Sequence, residues 1–144
     1  MGKVSIIYWS GTGNTEIMAN AIAEGAKEAG AEAELITADV ATPDMIADAK
    51  ALALGCPSMG SEQLEETVME PLMCDLDGAI SGKTVALFGS YGWGNGEWMQ
   101  DWEGRVSSDG ATVWNGEGII ANNAPDDEAL EACKDAGKAL AGLV

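Results

Sequence analysis

The run Lys3-Val-Ser-Ile-Ile-Tyr-Trp-Ser-Gly-Thr-Gly-Asn-Thr15 decides how the chain is read. Val4 to Tyr8 is a short apolar stretch rich in β-branched and aromatic residues, which predicts a buried strand. It runs straight into Ser10-Gly-Thr-Gly-Asn-Thr15, and helical spacing begins at once, with Ile17, Met18, Ala21, Ile22 and Ala26 on one face. A glycine-bearing turn between a strand and a helix lets several backbone N–H groups converge on one point. The helix N-terminus adds partial positive charge there. Ser10, Thr12, Asn14 and Thr15 supply further donors, so the loop suits a terminal phosphate. It lacks the Gly-Lys-Ser/Thr ending of a Walker A loop, and Glu16 stands where Gly-x-Gly-x-x-Gly needs its last glycine.

The same alternation continues along the chain. Gly30 is placed to end the first helix. Strands are expected at Ala33–Thr37, Ala51–Gly55 and Thr84–Ser90, and a fifth at Ala111–Trp114 with Gly118–Ala121, kinked at Asn115-Gly116. Helices are expected over Pro43–Ala49 (Thr42 as N-cap), Leu64–Leu72 (broken at Pro71), Glu97–Val106 and Asp126–Leu140. Five strands alternating with five helices predict an α/β fold in one domain spanning residues 1–144. It is a doubly wound, five-stranded parallel sheet of order 2-1-3-4-5 with helices on both faces. Such a sheet takes its ligand in the crevice beyond the carboxyl ends of its strands.

Charge narrows the function. There are 24 acidic residues, 7 basic ones and no histidine, a net charge of −17. That argues against nucleic acid and anionic membranes and suits basic docking surfaces on other proteins. Cys56, Cys74 and Cys133 form no Cys-x-x-Cys pair, so no zinc or iron–sulfur site is expected, and free thiols fit a reducing cytoplasm. No signal peptide or apolar run of membrane-spanning length is read.

Two more loops follow strands at the ligand end: Cys56-Pro-Ser-Met-Gly-Ser-Glu62 and Gly89-Ser-Tyr-Gly-Trp-Gly-Asn-Gly-Glu97. Trp93 lies among glycines, where core packing is a poor account of an indole, whereas Trp98 and Trp102 stand at i, i+4 on a helix and read as packing. With Ser10 to Thr15, these loops resemble, in order and spacing, the FMN-binding loops of flavodoxins. The absence of a long insertion in the fifth strand resembles the short-chain type from anaerobic bacteria.

The resemblance implies a low-potential one-electron carrier that shuttles electrons between redox proteins as a monomer. It implies that Ser10, Gly11, Thr12, Gly13, Asn14 and Thr15 hold the FMN phosphate, with Trp9 beside it or packed on the loop. Trp93 would stack on one flavin face and Met59, within Pro57, Ser58 and Met59, would cover the other. Glu62 would accept from flavin N3–H, and Ser90, Tyr91, Gly92, Gly94, Asn95 and Gly96 would meet the ring. The Gly60–Ser61 peptide would flip as the neutral semiquinone forms. Glycine makes both turn forms accessible, and Ser61 departs from relatives that carry Asp there. Glu62, Glu65, Glu66, Glu97 and Asp101 lie in or near the loops and no basic residue does, which predicts a very low potential for the second electron.

Three alternatives share the topology, the narrowest being a flavodoxin-like reductant dedicated to ribonucleotide reductase activation. A flavin-dependent quinone or nicotinamide oxidoreductase needs an open flavin face, and no histidine or loop arginine is present to serve it. A phosphoacceptor receiver domain needs Asp at the end of the third strand, where Gly55 and Cys56 stand.

Overall fold

A computed structural model describes residues 2–59 and 62–144. The strands are β1 (Lys3–Tyr8), β2 (Glu32–Thr37), β3 (Ala51–Gly55), β4 (Thr84–Tyr91), β5 (Thr112–Val113) and β6 (Ile119–Asn122). The helices are α1 (Asn14–Glu28), α2 (Met69–Leu76), α3 (Glu97–Ser108) and α4 (Asp127–Ala141), with 3₁₀ turns at Pro43–Ile46 and Trp114–Gly116. Every strand pair is parallel, in the order β2-β1-β3-β4-β5, and β6 also pairs with β4. The expected topology holds, and the single kinked fifth strand resolves into two short ones that share the edge position. Asn115 (φ 63°) and Gly116 (φ 79°) turn the chain out of the sheet between them.

Alternation along the buried strands assigns the two faces. Ala51, Ala53 and Ala86 face α1 and α4, and Leu52, Leu54, Val85 and Leu87 face α2 and α3. Alanines of β3 and β4 thus lie under the helix pair α1 and α4, with Val4, Ile6 and Phe88 filling the rest of that face. Gly30 ends α1 at φ 93°: its N–H reaches the Lys27 carbonyl (3.0 Å) and that of Ala31 reaches Ala26 (3.1 Å), a Schellman close. Asp126 caps α4 by accepting from the Ala129 N–H at 2.9 Å.

Two helix expectations need correction. The Pro43–Ala49 helix is only a 3₁₀ turn over Pro43–Ile46, and the Thr42 side chain makes no cap. The Leu64–Leu72 helix begins instead at Met69, because the Glu65 carboxylate takes the N–H groups of Thr67 (2.6 Å), Val68 (2.8 Å) and Met69 (3.0 Å). The Glu65 carbonyl takes the Glu70 N–H (2.8 Å), and the Leu72 N–H reaches Val68 (3.1 Å). Pro71 therefore falls in the first turn, where a missing donor costs nothing, and it does not break the helix. Among the described residues, no helix is long and apolar enough to cross a membrane.

Arg105 ties α3 to α2 through Asp77 (Nη2–Oδ2 2.8 Å, Nε–Oδ1 3.0 Å) and Glu70 (2.8 Å). Burial and the neighbouring Asp77 push the Asp109 carboxyl up to about 6. A carboxyl raised above its unfolded value of roughly 3.9 opposes folding once ionised, so its adverse effect is present at pH 7 and fades as pH falls through 6 toward 4. Asp109→Asn is accordingly expected to raise the urea midpoint at pH 7 and to leave it unchanged near pH 4. An equal effect at both pH values would contradict this.

Candidate functional site

Three loops meet at the carboxyl ends of β1, β3 and β4. The first begins where the Trp9 N–H bonds the Gly55 carbonyl at the end of β3 (3.0 Å). Gly13, at φ 97°, is the N-cap of α1. Its own N–H (3.2 Å) and that of Glu16 (3.3 Å) reach the Ser10 hydroxyl oxygen. Gly11 and Thr12 are exposed at the tip and Asn14 is half-buried. The Trp9 ring lies against Gly11, where an added Cβ would stand 3.1 Å from it, so Trp9 packs on the loop. Thr15 is buried, and its hydroxyl faces the Ser90 hydroxyl (3.3 Å) and accepts from the Ser90 N–H (3.4 Å). That link joins the first loop to the end of β4.

The second loop is held at its base. The Cys56 N–H bonds Phe88 (3.1 Å), the Ser58 N–H bonds Ser90 (3.0 Å), and the Trp98 indole N–H reaches the Cys56 carbonyl (3.1 Å). Trp98 packs, as expected, and also anchors this loop to α3. Met59 and Gln63 exchange two backbone bonds (2.8 and 3.0 Å). Pro57, Ser58 and Met59 are half-buried. Gly60 and Ser61, on which the expected peptide flip falls, lie outside the described residues. Burial pushes the Cys56 thiol up to about 12, and it accepts from the Glu65 N–H, so it is a structural thiol.

Glu62 reaches across to the third loop. It stands at φ 52°, and its Oε1 accepts from the N–H groups of Gly96 (3.1 Å) and Glu97 (3.0 Å), capping α3 from another loop. A side chain at Gly94 would meet the Glu62 carboxyl at 2.6 Å, so glycine is required for this approach. Trp93 is 65 % exposed, and Gly92, Gly94 and Asn95 are exposed around it. An indole held out on a glycine loop beside a half-buried thioether, above a neutral donor turn at a helix N-terminus, can take a flat aromatic ring that carries a phosphate. The residues present therefore fit FMN.

The family model described as flavodoxin matches residues 6–137. The chain belongs to the flavodoxin family. It is 49 % identical to the flavodoxin of Megasphaera elsdenii over 138 residues, covering 96 % of this chain and 98 % of that one. It is 45 % identical to the flavodoxin of Clostridium beijerinckii over 140 residues, covering 97 % of this chain and all of that one. The solution structure of two-electron reduced Megasphaera elsdenii flavodoxin superposes with a TM-score of 0.89 at 50 % identity, over 96 % of this chain and 98 % of that one. Flavodoxins bind FMN and carry electrons, and electron transfer on FMN is the activity of this family member.

Within this flavodoxin, the loops expected to form the site all lie at one end of the sheet. Glu65 does not belong to it: the carboxylate is buried, and its oxygens are taken by the start of α2. Three links were not foreseen: Thr15 to Ser90, Glu62 to α3, and the Tyr91 carbonyl held by the Asn123 N–H (2.7 Å) and Asn122 Nδ2 (3.3 Å). The Asn122-Asn123 pair before Pro125 carried a turn signal, but nothing local says which carbonyl it serves.

Proposed function

We propose that this flavodoxin carries electrons one at a time, at low potential, between larger proteins with basic docking surfaces, working as a cytoplasmic monomer. The observation that supports this is the separation of charge along the sheet axis. Lys3 opens β1, Lys50 and Lys83 precede β3 and β4, and Lys27 and Arg105 end α1 and α3, which run antiparallel to the strands. Lys134 and Lys138 lie in the latter half of α4 and pair with Glu24 and Glu28 of α1. All seven cations thus stand away from the loop end, where Glu62, Glu66, Glu97 and Asp101 remain.

FMN supplies the one-electron chemistry when bound. Ser10, Thr12, Asn14 and the backbone of residues 10–15 would hold its phosphate through neutral donors, with Thr15 positioned by Ser90. Trp93 and Met59 would cover the ring faces and keep water from them. Glu62 Oε2, unused by the α3 cap, would be free to accept from the ring, and the backbone from Tyr91 to Gly96 would meet its edge. Adding a second negative charge beside the phosphate and these carboxylates is unfavourable, which lowers the potential of the second electron.

Stepwise reduction without oxygen tests the reading. A long-wavelength absorbance band that rises to half reduction and then falls is expected, and direct bleaching would overturn the one-electron reading. The variant Glu66→Gln/Glu97→Gln/Asp101→Asn should raise the second potential at low salt, and an unchanged potential would remove the electrostatic account. Trp93→Ala should weaken FMN binding by roughly tenfold to a hundredfold, or about 1–3 kcal/mol, as read from quenching of flavin fluorescence. Unchanged affinity would take the indole off the ring.

A further inference from the structure

We propose that the open edge of the sheet between α3 and α4 is a docking groove for a basic, extended segment of a partner protein, which adds to β6 as one more strand. The groove encloses about 740 Å³ and is distinct from the three loops, although Asn95 and Gly96 form one end of it. Its floor is β6, which pairs with β4 on one side and with no strand on the other among the described residues. The excursion at 114–118 takes the chain out of the sheet before it returns as β6, so β5 gives this strand no cover. A free strand edge presents unpaired backbone groups, the template on which an extended peptide pairs.

The walls select the occupant. Ile120, 39 % exposed on the α3 side, and the partly buried Ile119 on the α4 side give β6 an apolar strip along its two faces, with the buried Met99 beneath. Five carboxylates, Glu103, Glu117, Asp126, Glu128 and Asp135, line the groove and no lysine or arginine does. Glu103 is engaged with the Gly118 N–H (2.7 Å) and Asp126 with its own helix. Glu117, Glu128 and Asp135 have no cationic partner among the described residues. A second copy is a poor occupant, because its other edge strand carries Glu32 and Glu34 and each copy has a net charge of −17. An extended segment that alternates lysine with apolar residues satisfies backbone, apolar strip and carboxylates together, and like-charge repulsion rejects acidic strands. Ile120 packs beside Gly96 (3.3 Å to an added Cβ), so the occupant would lie along the third loop.

The probe is an acetylated and amidated hexapeptide, Lys-Val-Lys-Val-Lys-Val, titrated into the ¹⁵N-labelled, FMN-loaded chain. Its counterpart with every backbone nitrogen methylated keeps the charge and the side chains and has no N–H to donate to β6. Saturable shifts are expected at residues 95–96 and 119–122 and on the facing turns of α3 and α4, with the N-methylated peptide binding at least roughly fivefold more weakly. Glu117→Gln/Glu128→Gln/Asp135→Asn should weaken binding roughly fivefold, while Asp39→Asn/Asp44→Asn/Asp48→Asn, on the β2 side of the fold, should leave it unchanged. Shifts spread over the whole acidic surface, equal binding of both peptides, indifference to the groove variant, or no binding would each overturn the proposal.

Discussion

Replacing Gly137 by alanine is expected to lower stability by about 2 kcal/mol, while the same replacement at Gly104 raises it by about 0.5–1 kcal/mol. Both glycines lie inside helices, and intrinsic propensity favours alanine equally at each. The neighbours reverse the sign. A Cβ at Gly137 would stand 2.0 Å from the Ile22 carbonyl oxygen and 2.8 Å from the Ala26 nitrogen, and at Gly104 it would meet nothing within 4 Å. Gly25 mirrors the contact, its Cβ falling 2.1 Å from the Lys134 carbonyl oxygen. These obstacles are backbone, so α1 and α4 must separate and loosen the alanine face of the sheet. Overpacking of this kind costs about 3 kcal/mol, less the roughly 1 kcal/mol that alanine returns as a helix former. The double replacement Gly25→Ala/Gly137→Ala should cost less than the sum, because one displacement of the helices relieves both clashes. Urea midpoints of the four variants check this; a stabilised Gly137→Ala would show that the helices do not pack so closely.

Glu65→Ala should destabilise the fold by about 2–4 kcal/mol, since it removes a charged acceptor from three backbone N–H groups and a hydroxyl at the start of α2. Water reaches this point poorly, with Glu65 only 5 % exposed. Burial by itself raises the Glu65 carboxyl, but the bonds from Thr67, Met69 and Val68 together outweigh it and hold the group below its ordinary value. For a carboxyl depressed in the folded state, the stabilisation is complete above the unfolded value of roughly 4.3 and is lost as pH falls through the lower folded value. The native chain should therefore lose stability in that acid window more steeply than Glu65→Gln, which keeps one acceptor and has no proton to gain. Parallel acid profiles for the two proteins would mean that Glu65 does not carry this dependence. Asp109 acts in the opposite sense between pH 7 and 4, so the two groups are separable by single variants.

What the sequence determined by itself is local or compositional. The period of the apolar residues marked β1, α1, β3, β4, α3 and α4, because burial of one face needs only a few neighbours along the chain. Glycines and hydroxyl donors after β1, and Trp93 on a glycine loop after β4, pointed to the candidate cofactor loops and to the family, because conformational permission and donor chemistry belong to the residues themselves.

Tertiary structure alone decided the pairs made across long loops. Thr15 meets Ser90, Glu62 caps α3, and Trp98 anchors Cys56, each joining segments that only the β1–β3–β4 order brings together. It also decided that Pro71 falls in the first turn of a helix, through a buried carboxylate whose partners lie a few residues away but whose burial depends on the core beneath it. The split of the fifth strand and the placing of all seven cations away from the loop end are further cases. An edge strand gains little from its own propensity, and a charge has a position only once helices and strands run in fixed directions.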